Sequence, residues 1–143
     1  MYELRFYKGI DIRSLYEFGP KIGMGNFSVV YEVTEKKTGK KWAMKEIKNE
    51  KLKQSQIDII QHEIEVMKKF DNPLLIQYKD TIQTKDCTYI ITELVKEGKE
   101  LSEYVRGKNG PLTEVEAAMI VRQIILGVLH IHKVGYIHRD LKP

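Results

Sequence analysis

The pattern of apolar and polar positions divides the chain into a strand-rich front part and a helical back part. Alternating apolar residues, typical of strands with one buried face, predict strands at 2–7, 15–22, 28–34 and 41–47. Between the last two, E-K-K-T-G-K predicts a turn in which Gly39 is available for positive φ. Short apolar runs at 74–78 and 88–92 predict two further strands.

Two longer segments have the pattern of helices. Residues 55–70 predict a helix that begins at Ser55 as N-cap and stops before Pro73. The second predicted helix, 113–133, opens with the capping box Thr113-Glu114-Val115-Glu116. Its apolar residues cover most of its circumference, so the helix requires burial on all sides. Only residues 134–143 follow it, and we therefore expect the chain to stop within a domain.

Composition fits an ordinary globular protein. The 143 residues are 42% hydrophobic and 31% charged, and they suit one domain. A single cysteine, Cys87, excludes an internal disulfide framework and fits a reducing compartment. The sequence shows no signal peptide, and no apolar stretch that we expect to reach membrane-spanning length. These features predict an intracellular, cytoplasmic location without a membrane span.

Net charge is +4 and the lysines are concentrated in one stretch. These lysines are Lys36, Lys37, Lys40, Lys41, Lys45, Lys48, Lys51 and Lys53. A nucleic-acid surface has this composition, especially with aromatic or arginine residues between the lysines. A solvated hairpin and loop explains the same residues more simply. We therefore expect no nucleic-acid partner.

The segment I-G-M-G-N-F-S-V-V at 22–30 is glycine-rich and precedes a strand. Glycines let backbone amides approach phosphate oxygens, because no Cβ stands in the way. A dinucleotide fold would place a helix after the glycines, and a Walker loop would require G-K-[ST]. Neither is present, so the segment predicts a glycine-rich hairpin that is either a phosphate-binding loop or an ordinary turn.

Two oppositely charged residues occupy predicted apolar faces. Lys45 shares a strand face with Ala43 and Ile47. Glu63 lies three residues after Ile60, on the helix stripe that we expect to face the core. Each charge needs a partner in such surroundings, and the pattern therefore predicts that Lys45 and Glu63 meet. Metal binding is not expected, since no cluster of cysteine and histidine residues is present.

The last residues, H-R-D-L-K-P, complete a set of motifs in a fixed order. With the glycine-rich loop, the strand lysine and the helix glutamate, they resemble the catalytic domain of eukaryotic protein kinases. The resemblance extends from about Tyr16 to the end of the chain. Ser28 replaces the third glycine, as in the calcium/calmodulin-dependent group, and L-K-P after Asp140 resembles serine/threonine kinases.

The resemblance implies the fold class and its division into domains. It implies an α+β fold with a kinase-like N-terminal lobe, formed by a five-stranded antiparallel sheet and one helix. The first helices of an incomplete, mainly helical C-terminal lobe follow. The expected divisions are an N-terminal extension at 1–14, the small lobe at 15–96 and the start of the large lobe at 97–143.

The resemblance also assigns roles in binding ATP. The segment from Gly23 through Gly25 to Ser28 would cover the phosphates, and Lys45 would hold the α- and β-phosphates while pairing with Glu63. The remaining implied contacts with the nucleotide involve Ile22, Val30, Ala43, Thr92, Glu93, Val95 and Glu100. Of these, Ile22, Val30 and Ala43 would line the adenine pocket. Thr92 is at the gatekeeper position, Glu93 and Val95 belong to the hinge, and Glu100 would reach the ribose.

Asp140 and Lys142 are the implied catalytic residues. Asp140 would orient the substrate hydroxyl and accept its proton, and Lys142 would contact the transferring phosphoryl group. The motif's asparagine and the D-F-G aspartate, which hold Mg²⁺ in the family, would lie beyond residue 143. We therefore expect the complete parent to transfer phosphate from ATP to serine and threonine hydroxyls of proteins.

The 143 residues alone are expected to be inactive. The alternative is a non-catalytic module that binds a nucleotide or a partner. Calmodulin would be a partner only through segments outside this chain.

Overall fold

The computed structural model describes residues 10–25, 27–96 and 98–142, apart from the side chain of Lys51. The strand predicted at 2–7 lies outside these residues. The chain forms two compact units. The sheet unit comprises the described residues up to Lys68 together with Gln77–Leu94, and the helical unit comprises Lys69–Ile76 together with the described residues from Val95 onward.

The sheet unit is built on one antiparallel sheet. Its five strands are β1 (Tyr16–Met24), β2 (Ser28–Glu35), β3 (Lys41–Lys48), β4 (Tyr78–Gln83) and β5 (Cys87–Glu93). Their order in the sheet is β1-β2-β3-β5-β4, and each neighbouring pair is antiparallel. A short helix α1 (Ile12–Leu15) precedes β1, and α2 (Gln54–Met67) follows β3 after a 3₁₀ turn at Asn49–Lys51. The predicted five-stranded antiparallel sheet with one main helix is confirmed.

Apolar side chains are buried on both faces of this sheet, because side chains alternate along a strand. Met44 of β3 is fully buried in a cluster whose members are Ile12, Tyr16, Val33, Met44, Ile82, Tyr89 and Ile91. Ile47, three residues further along β3, belongs to a second cluster with Ile90 and with Ile64 of α2. The second face is therefore the one against which α2 packs.

The prediction of a strand at 74–78 is wrong, since β4 begins only at Tyr78. The Leu74 N–H donates to Oδ1 of Asn72 at 2.9 Å, and the Leu75 N–H donates to the Asn72 carbonyl at 3.0 Å. These two hydrogen bonds form a turn. The strand has a more polar sequence than this apolar run, and it buries Thr81 and Gln83 as well as Ile82.

The predicted helix at 55–70 exists with different ends. It spans Gln54–Met67, and the N-cap is Lys53 rather than Ser55. The backbone N–H of Lys53 donates to Oε1 of Gln56 at 2.9 Å, which satisfies one polar group at this end of the helix.

The helical unit contains α3 (Leu101–Arg106) and the long α4 (Glu114–Lys133). The predicted capping box is confirmed, because Glu116 N–H donates to Thr113 Oγ1 at 3.2 Å and Thr113 N–H donates to Glu116 Oε2 at 2.9 Å. At the other end, Gly135 has φ +85°, and Tyr136 N–H donates to the carbonyl of Ile131 at 3.1 Å. This left-handed glycine turn is a common way of ending a helix.

The surface of α4 is largely apolar and largely exposed. Gly127 and Ile131 are its buried residues. The exposed apolar side chains are Val115, Met119, Val121, Ile124, Ile125, Leu126 and Leu129. By length and composition alone α4 could cross a membrane, so the expectation that no segment reaches that length is wrong. Core helices of soluble proteins have the same length and composition, so these properties do not assign α4 to a membrane.

Candidate active site

The glycine-rich segment spans the end of β1 and the start of β2, and its described residues approach one another closely. Gly25 N–H donates to the Ser28 carbonyl at 2.8 Å, and the Phe27 carbonyl accepts from Lys48 N–H at 3.4 Å. A Cβ at position 25 would lie 2.9 Å from Ser28 Oγ, closer than real Cβ contacts allow. A Cβ on Gly23 would meet Val30 at 3.4 Å. A Cβ at position 25 would therefore force the Ser28 side chain to shift, and glycine lets the backbone come this close to Ser28 without that change.

Strand register places several predicted site residues on one face of the sheet. Gly23 pairs with Val30, Val30 pairs with Lys45, and Lys45 pairs with Ile90. Residues paired across an antiparallel sheet point to the same side. Ile90 belongs to the cluster that packs against α2, so the side chains of Val30 and Lys45 lie on that face.

Ala43 and Thr92 extend the same face toward the end of β5. They pair with each other, and Ala43 is two residues from Lys45 in β3, which gives it the same orientation. Ile22 belongs to an irregular part of β1, where the register shifts between Lys21 and Gly23, and its side chain is 48% exposed.

The predicted contact between Lys45 and Glu63 is not formed. Among the described residues no ion pair joins them, and Glu63 is exposed rather than facing the core. The physical reason is helix geometry: Ile64 is fully buried, and the preceding residue is displaced by about 100° around the axis. Glu63 therefore lies at the edge of the apolar stripe, and its carboxylate reaches solvent.

Glu93 makes a contact that the sequence pattern missed. Its backbone N–H donates to the Gln77 carbonyl, and its carboxylate accepts from Gln77 N–H, both at 2.9 Å. Gln77 falls in the run wrongly predicted as a strand, so periodicity gave no signal for this role. Val95 and Glu100 belong to the helical unit. Val95 is 55% exposed and Glu100 is the N-cap residue of α3.

The H-R-D-L-K segment lies at the end of the helical unit. Nζ of Lys142 is 3.0 Å from Oδ2 of Asp140, and both side chains are more than 70% exposed. The Asp140 N–H donates to Nδ1 of His138 at 3.2 Å. Arg139 has φ +66°, an uncommon value for a non-glycine residue. This left-handed residue turns the backbone immediately before Asp140.

One cation, Lys45, lies beside the glycine turn. The backbone N–H groups of such a turn can donate hydrogen bonds to phosphate oxygens that come close. In the described part of the chain, no group of three or more histidine, cysteine, aspartate or glutamate residues could hold a metal ion.

Comparison with known proteins gives a consistent result. Residues 16–143 match the protein kinase domain family. A probable myosin light chain kinase of Dictyostelium discoideum is 41% identical over 128 residues, which cover 90% of this chain and 39% of that protein. Calcium-dependent protein kinase 7 of Arabidopsis thaliana is 37% identical over 137 residues, which cover 94% of this chain and 25% of that protein.

The chain thus spans between a quarter and two fifths of the length of these two relatives, at 25% and 39%. The family match covers almost the whole chain, including β1–β5, α2 and α4. It also contains the glycine turn and Lys45, which were singled out on chemical grounds, and the H-R-D-L-K segment. This chain belongs to the protein kinase family.

Proposed function

We propose that this chain is the nucleotide-binding front part of a protein serine/threonine kinase. The observation that supports the proposal most is the strand register that brings Gly23, Val30 and Lys45 into line on one sheet face. That line joins the glycine turn, which would cover the phosphates, to the lysine that would hold them. The sequence L-K-P after Asp140 supports serine/threonine specificity.

The division into lobes is part of the proposal. The proposed divisions are an N-terminal extension at 1–14, a small lobe at 15–96 and the start of a large lobe at 97–143. The change of compact unit at Val95 supports a boundary close to residue 96, whereas Lys69–Ile76 group with the helical unit. Ile22, Val30 and Ala43 would line the adenine pocket, and Thr92 would occupy the gatekeeper position. The backbone of Glu93 and Val95 would bind adenine. Glu100 would contact the ribose.

In the whole protein, Asp140 would accept the proton of a serine or threonine hydroxyl as its oxygen bonds to the γ-phosphorus. The bond from that phosphorus to the bridging oxygen of ADP breaks in the same transfer, and Lys142 would stabilise charge on the phosphoryl oxygens. Mg²⁺ bound with ATP would neutralise phosphate charge. Glu63 would have to move from its exposed position to pair with Lys45.

The first experiment is ATP binding to the 143-residue chain, measured by calorimetry with Lys45→Met as the test variant. Lys48→Met is the matched control, because Lys48 is exposed, lies on the same strand and points to the opposite face. We expect Lys45→Met to weaken ATP binding by roughly tenfold or more, as loss of a charge-assisted hydrogen bond predicts. Equal effects of the two substitutions would overturn the assignment and favour nonspecific polyanion binding.

The second experiment compares phosphoryl transfer by the whole protein with phosphoryl transfer by the 143-residue chain. The 143-residue chain should show no transfer of phosphate from ATP to protein, because it carries Asp140 and Lys142 without the family's magnesium ligands. The whole protein, isolated from its own cells, should phosphorylate serine or threonine residues, and Asp140→Asn should abolish the transfer. A whole protein that binds ATP without transferring phosphate would support the binding-module alternative.

Location and regulation are further parts of the proposal. An intracellular protein is expected from the composition and the single cysteine. One relative is named as a calcium-dependent protein kinase, and calcium or calmodulin control of the present protein would act through segments outside the 143 residues. Two measurements would test this control. The first compares calcium-dependent calmodulin binding by the whole protein and by this chain. The second assays the activity of the whole protein with and without calcium.

A further inference from the structure

A cavity of about 310 Å³ lies beside Lys45 within the sheet unit. It is formed between the β1–β2 turn, β3 and α2. Its apolar walls are Phe27, Ile47, Leu52, Ile59 and Ile60. Ser28, Lys45 and Gln56 contribute the polar part of the lining. Its volume is at the lower end of the range of small-molecule sites in proteins, so it suits a small ligand.

Charge in this cavity comes from a single side chain. Of the described residues that line it, Lys45 alone is charged, and it is half-buried. Within the described part of the chain no carboxylate forms an ion pair with Lys45, since Glu63 is exposed. A cation at the edge of an apolar cavity favours a ligand with one anionic group and an apolar body.

A neighbouring cavity provides an internal comparison. It has a volume of about 170 Å³ and shares Leu52 and Ile60 with the first. Its other lining residues are Asn49, Ile57, Gln61, Gln83, Thr84 and Thr88, none of them charged. The two cavities therefore share part of an aliphatic wall but differ in Lys45, so a preference for anionic ligands should distinguish them.

We propose that the Lys45 cavity binds a medium-chain aliphatic carboxylate. The carboxylate would accept hydrogen bonds from Nζ of Lys45, and the chain would lie against Ile47, Ile59 and Ile60. Burial of the chain would remove apolar surface from water, notably at Ile59, which is 67% exposed. The cavity shares Ser28 and Lys45 with the proposed phosphate site, so the proposal adds a second class of ligand to that site. Its test contains no nucleotide, and octanoate binding can therefore fail while ATP still binds.

The test is a titration of the 143-residue chain with octanoate at pH 7, followed by NMR of isoleucine side-chain methyl groups. Ile47 and Ile59 report on the Lys45 cavity, and Ile57 reports on the neighbouring cavity. Ile91, in the cluster on the opposite face of the sheet, is the control. We expect saturable shifts at Ile47 and Ile59 without comparable shifts at Ile57 and Ile91. Shifts confined to Ile57, or no saturable shift, would overturn the proposal.

Octan-1-ol, which has the same chain but no charge, tests recognition of the carboxylate. Octanoate should bind roughly tenfold more tightly than octan-1-ol, as a hydrogen bond to a charged group predicts. Equal affinities of the unsubstituted protein for octanoate and octan-1-ol would contradict the proposal. Lys45→Gln should remove the difference, and the exposed Lys48→Gln should retain it.

A second variant guards against a folding defect in Lys45→Gln. Ile59→Gln replaces an exposed residue, so folding should be preserved. Because the cavity loses part of its apolar wall, the affinities for octanoate and for octan-1-ol should fall by similar factors. Fluorescence of Trp42, the single tryptophan, checks the fold of each variant. Unchanged binding in folded Ile59→Gln would overturn the position proposed for the aliphatic chain.

Discussion

The sheet unit and the helical unit bury their apolar residues to very different extents. In the sheet unit, side chains are packed on both faces of β3, and Val33, Met44, Ile64 and Ile91 are fully buried. In the helical unit, α4 buries Gly127 and Ile131 and exposes most of its apolar surface. A hairpin sheet with a helix on one face obtains its core from nearby segments, whereas a helix that is apolar all round needs neighbours on every side.

This difference explains why the two units contribute differently to the proposed function. The aligned residues Gly23, Val30 and Lys45 are fixed by strand pairing, so the sheet unit can present them before any ligand arrives. Asp140 and Lys142 lie on an exposed segment whose polar groups pair locally. We expect further residues of the whole protein to order that segment.

The sharpest test of the difference in burial uses one methionine from each unit. Met44→Ala should destabilise the sheet unit by about 2–5 kcal/mol, because it creates a cavity at a fully buried position. Met119→Ala in α4 should change stability by less than about 0.5 kcal/mol, since that side chain is 61% exposed. Urea unfolding monitored by Trp42 fluorescence and by circular dichroism measures both effects. Similar losses for the two variants would show that α4 is covered in solution.

Glycines with positive φ occur in both units and allow a second comparison. Gly39 in the β2–β3 turn has φ +70° and Gly135 after α4 has φ +85°, and a Cβ at either position would meet nothing within 4 Å. Alanine should therefore cost about 1–2 kcal/mol at each site through backbone strain alone, measured by urea unfolding. Asparagine, which tolerates this conformation better, should cost less at both. A loss at Gly39→Ala without a loss at Gly135→Ala would indicate that the end of α4 adds little to stability.

A smaller effect is expected around Trp42. Lys40 and Lys79 lie 4.3 and 4.1 Å from its ring centroid, and Lys79 also pairs with Glu35 at 2.6 Å. Lys79→Met should cost about 1 kcal/mol because it removes both interactions, and Lys40→Met should cost less because it removes one. Thermal unfolding of the two variants separates the contributions. Equal losses would mean that the ion pair with Glu35 adds nothing.

The smallest predicted effect is a pH dependence at the start of α4. Hydrogen bonds from Lys108 and then from Thr113 lower the pKa of Glu116 from 4.5 to about 2. A lowered pKa means that this cap is fully formed above pH 4.5 and is lost as pH falls toward 2. NMR titration should give that midpoint, and Lys108→Met should raise the pKa toward its ordinary value.

The sheet unit offers a matched carboxylate for this last test. Hydrogen bonds from Lys79 and Thr38 lower the pKa of Glu35. Lys108→Met should leave the pKa of Glu35 unchanged, and Lys79→Met should raise it without affecting Glu116. Movement of both pKa values in either variant would contradict the local origin of these shifts.

Much of the fold was predictable because local signals agreed with the final structure. The pairing of β2 with β3 follows from two alternating segments around E-K-K-T-G-K, and α4 follows from its capping box and long apolar run. Local signals failed at residues 74–78, where Asn72 and Pro73 favour a turn although three apolar residues follow. They also failed at the start of α2, because a backbone contact with Gln56 replaced the expected serine cap.

Residue type and spacing along the chain were enough to establish the order of the motifs and the types of most elements. Local backbone preferences follow directly from these two properties. The strand order β1-β2-β3-β5-β4 and the cavity beside Lys45 emerged only from packing in three dimensions. The same holds for the exposure of Glu63, since the rotation of α2 is set by how Ile64 packs on the sheet. Such features depend on contacts between residues far apart in the chain, which periodicity does not contain.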